Sequence, residues 1–102
     1  MRQLRLITEP AADADIEAAF VWYERQERDL GLGLLQELGS AYDRIIGDPQ
    51  AYRDLGDGIR RVLLHRFPYF VYYAVEPSTI VVVAVLHAHR DPAVWQRRSL
   101  RG

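Results

Sequence analysis

The chain predicts an α+β fold of element order β-αα-βββ, and three observations lead there. Two stretches in the first half repeat apolar residues at helical spacing. Three stretches in the second half are strand-length runs rich in Val, Ile, Tyr and Phe. Short Pro-containing turns join those runs. A small twisted antiparallel sheet packed on a helical hairpin, with a short C-terminal helix, satisfies all three. At 102 residues the chain is expected to make a single domain, 1–102, within the usual ~100–150 residues of a folding unit.

Leu4-Arg5-Leu6-Ile7 is the first strand candidate. Thr8 offers a side-chain oxygen for a helix start, and Pro10 sits in the first turn, where its missing N–H costs nothing. Asp13, Asp15 and Glu17 follow, placed where the helix dipole favours acids. Ala12, Ile16, Ala19, Phe20 and Tyr23 share a face, so the first helix is expected from about Pro10 to Leu30, broken by Gly31 and Gly33. Leu35, Leu38, Tyr42, Ile45 and Ile46 mark a second amphipathic helix, stopped by Gly47-Asp48-Pro49. Helices joined so closely are expected to lie antiparallel. Residues 50–58 read as polar linkage.

From Ile59 the period changes. Ile59–Arg66, Tyr69–Glu76 and Thr79–His87 read as strands, with turns at Phe67-Pro68 and Pro77-Ser78. Connections this tight predict an antiparallel meander. Thr79–His87 is β-branched on both faces, the mark of a central strand covered on both sides. Asp91-Pro92 can open a last helix through Arg98, with Arg101-Gly102 frayed.

Composition narrows the function. Hydrophobic residues make up 49% of the chain and charged residues 26%, a globular balance. There is no cysteine, which removes disulfides, thiolate metal sites and cysteine nucleophiles. No apolar run reaches the ~18 residues of a membrane span, and Met1–Arg5 lacks a signal-peptide pattern. A cytoplasmic protein with no membrane role is therefore expected. All 13 basic residues are Arg. Residues 1–57 hold 6 Arg and 12 acids, a balance of −6, and residues 58–102 hold 7 Arg and 2 acids, a balance of +5. One face of the fold is thus expected to meet an anion or an acidic partner.

The standard catalytic motifs are absent: no phosphate-binding glycine loop, dinucleotide fingerprint, HExxH or nucleophile elbow. His87 and His89 lie two apart at a strand end and are expected to project to the same side. They are candidates for acid–base work, or ordinary edge histidines. With His65 they complete the histidines, but no carboxylate stands at a ligand spacing, so neither a metal nor another cofactor is expected. Arg60, Arg61, Arg66 and Arg90 are the sharper feature. Alternation puts Arg60 and Arg66 on one strand face and Arg61 on the other with His65, while Arg90 can join either set. Such a cluster binds phosphate or an acidic partner, or is simply solvated. Trp95, Arg97 and Arg98 are candidates for a protein contact, although a Trp there also fits folding back on the core.

Three runs carry a family resemblance. They are Ile59-Arg60-Arg61-Val62-Leu63-Leu64, Phe67-Pro68-Tyr69-Phe70-Val71-Tyr72-Tyr73, and Ala84-Val85-Leu86-His87-Ala88-His89-Arg90-Asp91-Pro92. Together with the Ala12–Tyr23 helix and its Trp22-Tyr23 pair, they resemble the RelE/ParE toxin superfamily over nearly the whole chain. The resemblance implies the toxin of a type II toxin–antitoxin pair, of the kind linked to plasmid stabilisation. It implies an antitoxin that lays a helix and an extended segment over the toxin, and operator DNA bound only through that antitoxin.

The superfamily divides by target. RelE-type members cleave ribosome-bound mRNA, and ParE-type members inhibit DNA gyrase. RelE-like chains carry an Arg where this one has Phe70, a basic residue where it has Leu63, and a Tyr in the region of Trp95 and Gln96. Arg61 and Arg90 match basic positions, and His87 and His89 can substitute for the missing groups. The expected function is therefore a ParE-like gyrase inhibitor. The alternatives are a ribosome-dependent mRNA endonuclease using Arg61, His87, His89 and Arg90, and a member without toxicity that acts as a binding module.

Overall fold

The computed structural model describes residues 4–99. Strand β1 (Arg5–Thr8) leads into the helices α1 (Pro10–Gln26) and α2 (Leu30–Gly47). Strands β2 (Ile59–Leu63), β3 (Tyr69–Val75) and β4 (Thr79–His87) follow, then the short helix α3 (Ala93–Ser99). The expected β-αα-βββ order holds. The sheet order is β1-β4-β3-β2, with β2, β3 and β4 antiparallel as expected. β1 adds one parallel pairing, Arg5 to Thr8 against Thr79 to Val82. Parallel neighbours need a long crossover, and the hairpin between β1 and β2 is part of it. That pairing makes β4 central, which explains its β-branched residues on both faces.

The hairpin is tighter than its glycines suggest. α1 stops at Gln26, earlier than expected, and the chain turns through Glu27–Asp29, where Asp29 is left-handed at φ 69°. α2 then begins at Leu30, so Gly31 and Gly33 lie inside it and do not break it. Gly31 is there for contact: a Cβ would stand 2.7 Å from the Phe20 ring and 2.8 Å from the Phe20 carbonyl oxygen. Glu24 accepts hydrogen bonds from the Gly31 N–H (2.8 Å) and the Asp29 N–H (3.3 Å). An acid of α1 thereby satisfies donors at the start of α2 that no earlier turn can reach. Thr8 does not cap α1; its hydroxyl donates to Asp13 at 2.6 Å.

β2 ends at Leu63, three residues short of the expected Arg66. Leu64 turns into the core, and one carboxylate oxygen of Glu37 on α2 accepts the next two N–H groups, His65 and Arg66. α3 forms as expected, with the Asp91 carboxylate accepting the Ala93 N–H at 2.9 Å. The expectation of fraying at Arg101-Gly102 lies outside the described residues.

The sheet buries both faces. On one, Val62, Val71, Tyr73, Ile80, Val82 and Val85 pack against Ala12, Ala19, Leu34, Leu38 and Ile45 of the hairpin. Each fully buried aliphatic side chain contributes about 1.5–3 kcal/mol here. On the other, Ile59, Tyr72, Val81, Val83, Ala84 and Leu86 gather under Trp95 of α3. A bulge makes this possible: Tyr72 pairs with Ala84 but Tyr73 pairs with Val82. The extra residue puts Val83 and Ala84 on the same face and reverses the alternation for the rest of β4. His87 is thereby turned toward the hairpin side. No helix among the described residues is long and apolar enough to cross a membrane.

Candidate functional site

The sequence-derived cationic cluster does not assemble. Arg60 stands opposite Tyr73 on the hairpin side, where its guanidinium donates to the Tyr52 carbonyl and to Gln50 Oε1 (2.8 Å). It ties the 50–58 segment to the sheet. Arg61 is on the other face, opposite Tyr72, with its guanidinium 4.0 Å from the centre of the Phe70 ring. Arg66 does not share a strand face with Arg60, because β2 has ended; it is exposed in the β2–β3 loop, 5.4 Å from the Phe67 ring centre. Arg90 follows β4 near Tyr69. The four are spread over two faces and two loops.

The α3 candidates separate in the same way. Trp95 is no surface anchor: it is 7% exposed and stacks on Tyr72, rings 5.5 Å apart and 20° from parallel. The Arg98 guanidinium donates to Asp15 of α1 at 2.6 and 3.2 Å and to the Val83 carbonyl at 3.1 Å. Of the three, Arg97 alone is exposed.

What the fold does assemble is a groove of about 510 Å³ between α1 and the end of β4. β1 pairs with β4 only as far as Val82, so the edge from Val83 to His87 has no strand beside it. Asp15 fills part of that gap by accepting the Val85 N–H at 3.0 Å. Beyond it the groove is walled by aromatic rings. Trp22 meets Tyr23 edge-on with centroids 5.0 Å apart, and Tyr23 meets Tyr69 at 6.1 Å. Tyr69 meets His87 at 5.4 Å, and His87 meets His89 at 5.4 Å. The two histidines do project together, and the His89 N–H donates to His87 Nδ1 at 3.1 Å. Arg90 stands at the same end of this row, which begins at Trp22, 55% exposed.

Burial pushes the Tyr23 and Tyr69 hydroxyls above the ordinary tyrosine range; at Tyr69 the neighbouring Tyr23 adds to this and Arg90 opposes it. Both hydroxyls therefore keep their protons at neutral pH and act as donors, not bases. The endonuclease candidates are divided. His87, His89 and Arg90 come together, whereas Arg61 lies across the sheet. His65 is exposed on the β2–β3 loop, and no metal-holding group of His, Asp or Glu occurs among the described residues. Sequence reasoning named His87, His89 and Arg90 but not Tyr69 as their companion. The available signal was register, since Tyr69 opens β3 directly opposite His87.

Residues 6–92 match a family model described as ParE toxin of type II toxin–antitoxin system, parDE. Among solved structures the chain is similar to one titled "Chromosomal ParDE TA system from P. aeruginosa", at a TM-score of 0.72 and 19% identity. The match covers 83% of this chain and 96% of that one, and at such identity it establishes a shared fold. No curated protein matches the sequence.

Proposed function

The chain belongs to the ParE toxin family of type II toxin–antitoxin systems, and on that premise we propose that it arrests growth by binding DNA gyrase and is silenced by a cognate antitoxin. The match to the ParE family over residues 6–92 is the observation that carries this reading. An antitoxin partner is implied by membership; its binding mode and the gyrase target are the proposal. We place the action in the cytoplasm, where gyrase works. Operator DNA is contacted through the antitoxin, with no cofactor and no membrane involved.

The surface supports capture by protein. Val21 and Trp22 on α1 and Leu32 and Leu35 on α2 are exposed apolar side chains on the hairpin. Exposed apolar residues on packed helices offer an antitoxin helix its seat. Past Val82 no strand lies beside β4, and where Asp15 and Arg98 do not cap it this edge offers backbone to an extended segment. Of the named arginines, Arg66, Arg90 and Arg97 are exposed and Arg61 is half-buried against Phe70, and these remain for target contact, whereas Arg60 and Arg98 have internal work.

A second reading, ribosome-dependent mRNA cleavage, is supported by the meeting of His87, His89 and Arg90. It is the weaker one. Arg61 is on the opposite face, Phe70 stands where RelE-like chains carry an Arg, and groups that act as a unit lose most of their effect when one is displaced. Purified toxin incubated with gyrase and supercoiled plasmid is the deciding experiment. Accumulated cleaved DNA, suppressed by antitoxin, is the expected result. Codon-positioned mRNA cuts after induction, with gyrase unaffected, would replace the proposal with the endonuclease. Normal growth on induction without antitoxin would leave a non-toxic binding module.

A further inference from the structure

The aromatic groove shares Trp22, Arg90 and the β4 edge with the proposed protein contacts, but its rings and hydroxyls have a chemistry of their own. Ala14, Ala18 and Trp22 lie four residues apart along α1, so they form one stripe on the helix. The alanines leave a shelf and Trp22 bounds it. Tyr23 flanks Trp22 on α1, Tyr69 and His87 stand across the shelf, and at the end stands Arg90. On the β4 edge, the N–H and C=O of one residue point the same way. The Val85 N–H faces Asp15, so the Val85 C=O and, two residues on, the His87 N–H face the same side. The groove thus combines planar surfaces, protonated hydroxyls, a backbone donor and acceptor, a cation at one end, and the Asp15 carboxylate, whose charge the Arg98 guanidinium offsets.

We propose that this groove binds a nucleotide, with the base against the Trp22–Tyr23 wall and the phosphate at Arg90. Planar side chains hold a base by its π face whatever its identity, and guanidinium grips phosphate through paired N–H donors. The size fits as well. About 510 Å³ accommodates one nucleotide, and the surrounding rings do not form the long apolar trough that a helical peptide needs. The same chemistry serves a free nucleotide or one residue of a single-stranded chain. The single-strand source bears on the endonuclease reading, whereas the free-nucleotide source is independent of the toxin's target.

The test is titration of the intact protein, followed by NMR, with 5′-AMP, adenosine, inorganic phosphate and the oligonucleotide rA5. Saturable AMP binding that shifts the Trp22 indole N–H is expected, with adenosine and phosphate each weaker by about tenfold or more. Trp22→Ala and Arg90→Gln should each weaken AMP by roughly tenfold, and Arg53→Gln, in the exposed 50–58 segment, should not. Both groove residues are largely exposed, and an otherwise unchanged spectrum verifies that each variant is folded. Tighter binding of rA5 than of AMP identifies a single strand as the source; equal binding identifies the free nucleotide. The proposal is overturned if AMP fails to saturate, if phosphate alone binds as well as AMP, or if either groove variant binds normally. A Trp22 shift with purified antitoxin but none with AMP would make the groove a protein seat instead.

Discussion

Asp15 on α1 and Arg98 on α3, 83 residues apart in sequence, meet at 2.6 Å over the stretch of β4 that β1 leaves unpaired. Each also replaces a missing ladder bond: Asp15 accepts from the Val85 N–H, and Arg98 donates to the Val83 carbonyl. The pair fastens α3 to the sheet and blunts an edge that would otherwise invite another strand.

Removing either partner should therefore destabilise the domain, and unequally. Arg98→Ala should cost about 1 kcal/mol and Asp15→Ala about 2 kcal/mol, because losing Asp15 orphans the part-buried Val85 N–H, which costs more than a Val83 carbonyl that loses one of two acceptor sites. Urea denaturation of both single variants and the double variant measures the coupling. Additive losses would mean that the two side chains do not act together.

Two glycines of α2 should respond to alanine with opposite signs. Gly39 faces open space, so Gly39→Ala should stabilise by about 0.5–1 kcal/mol through helix propensity. Gly31→Ala puts a methyl against the Phe20 ring and carbonyl and should destabilise by about 1–3 kcal/mol. Thermal melts of the pair decide it; a stabilising Gly31→Ala would disprove the close helix approach.

The two tryptophans should also diverge. Trp95→Ala removes a buried ring stacked on Tyr72 and should cost about 3–5 kcal/mol. Trp22→Ala, on an exposed ring, should cost about 1 kcal/mol or less. Val83→Asp, under Trp95, should abolish folding by burying an unpaired charge. Circular dichroism of soluble protein checks all three, and a folded Val83→Asp would take that residue out of the core.

Alkaline stability should fall from about pH 10 toward 12. Burial pushes the Tyr42 and Tyr73 hydroxyls up to about 12, from an ordinary value near 10. Over that window the unfolded chain has lost those protons and the folded chain still holds them, so rising pH favours unfolding. Tyr42→Phe should flatten the decline between pH 10 and 12, measured as denaturation midpoint against pH. An unchanged slope would remove Tyr42 as a cause. Tyr73→Phe is less clean, because it also deletes the 2.8 Å hydrogen bond to the Pro49 carbonyl.

Arg90→Ala should change folding stability by no more than about 0.5 kcal/mol, since its side chain is exposed. Arg61→Ala should cost up to about 1 kcal/mol for the contact with Phe70. Arg60→Ala should cost more than either, because it releases the Tyr52 carbonyl and Gln50. Chemical denaturation of the three ranks them, and an Arg60→Ala loss no larger than that of Arg90→Ala would refute its structural role.

The element order, the helical hairpin, the span of β4 and the covered centre of the sheet were all written in local pattern. The periods of Ile16, Ala19 and Tyr23, or of Val81 to Val85, reflect which face each residue buries, and burial acts on every residue in turn. Where a side chain goes when alternation stops is decided by contacts distant in the chain. Glu37 ends β2 before Arg66, a bulge at Val83 and Ala84 turns His87 toward Tyr69, and Asp15 claims Arg98 from a face where it read as free. Gly31 looks like a helix breaker until Phe20 stands against it. Sequence periodicity alone determined the layers of this protein, because hydrophobic burial is short-ranged along the chain. The tertiary structure alone decided which arginines stay in solvent and which rings line the groove, because hydrogen bonds and ring contacts depend on sub-ångström placement that no residue specifies by itself.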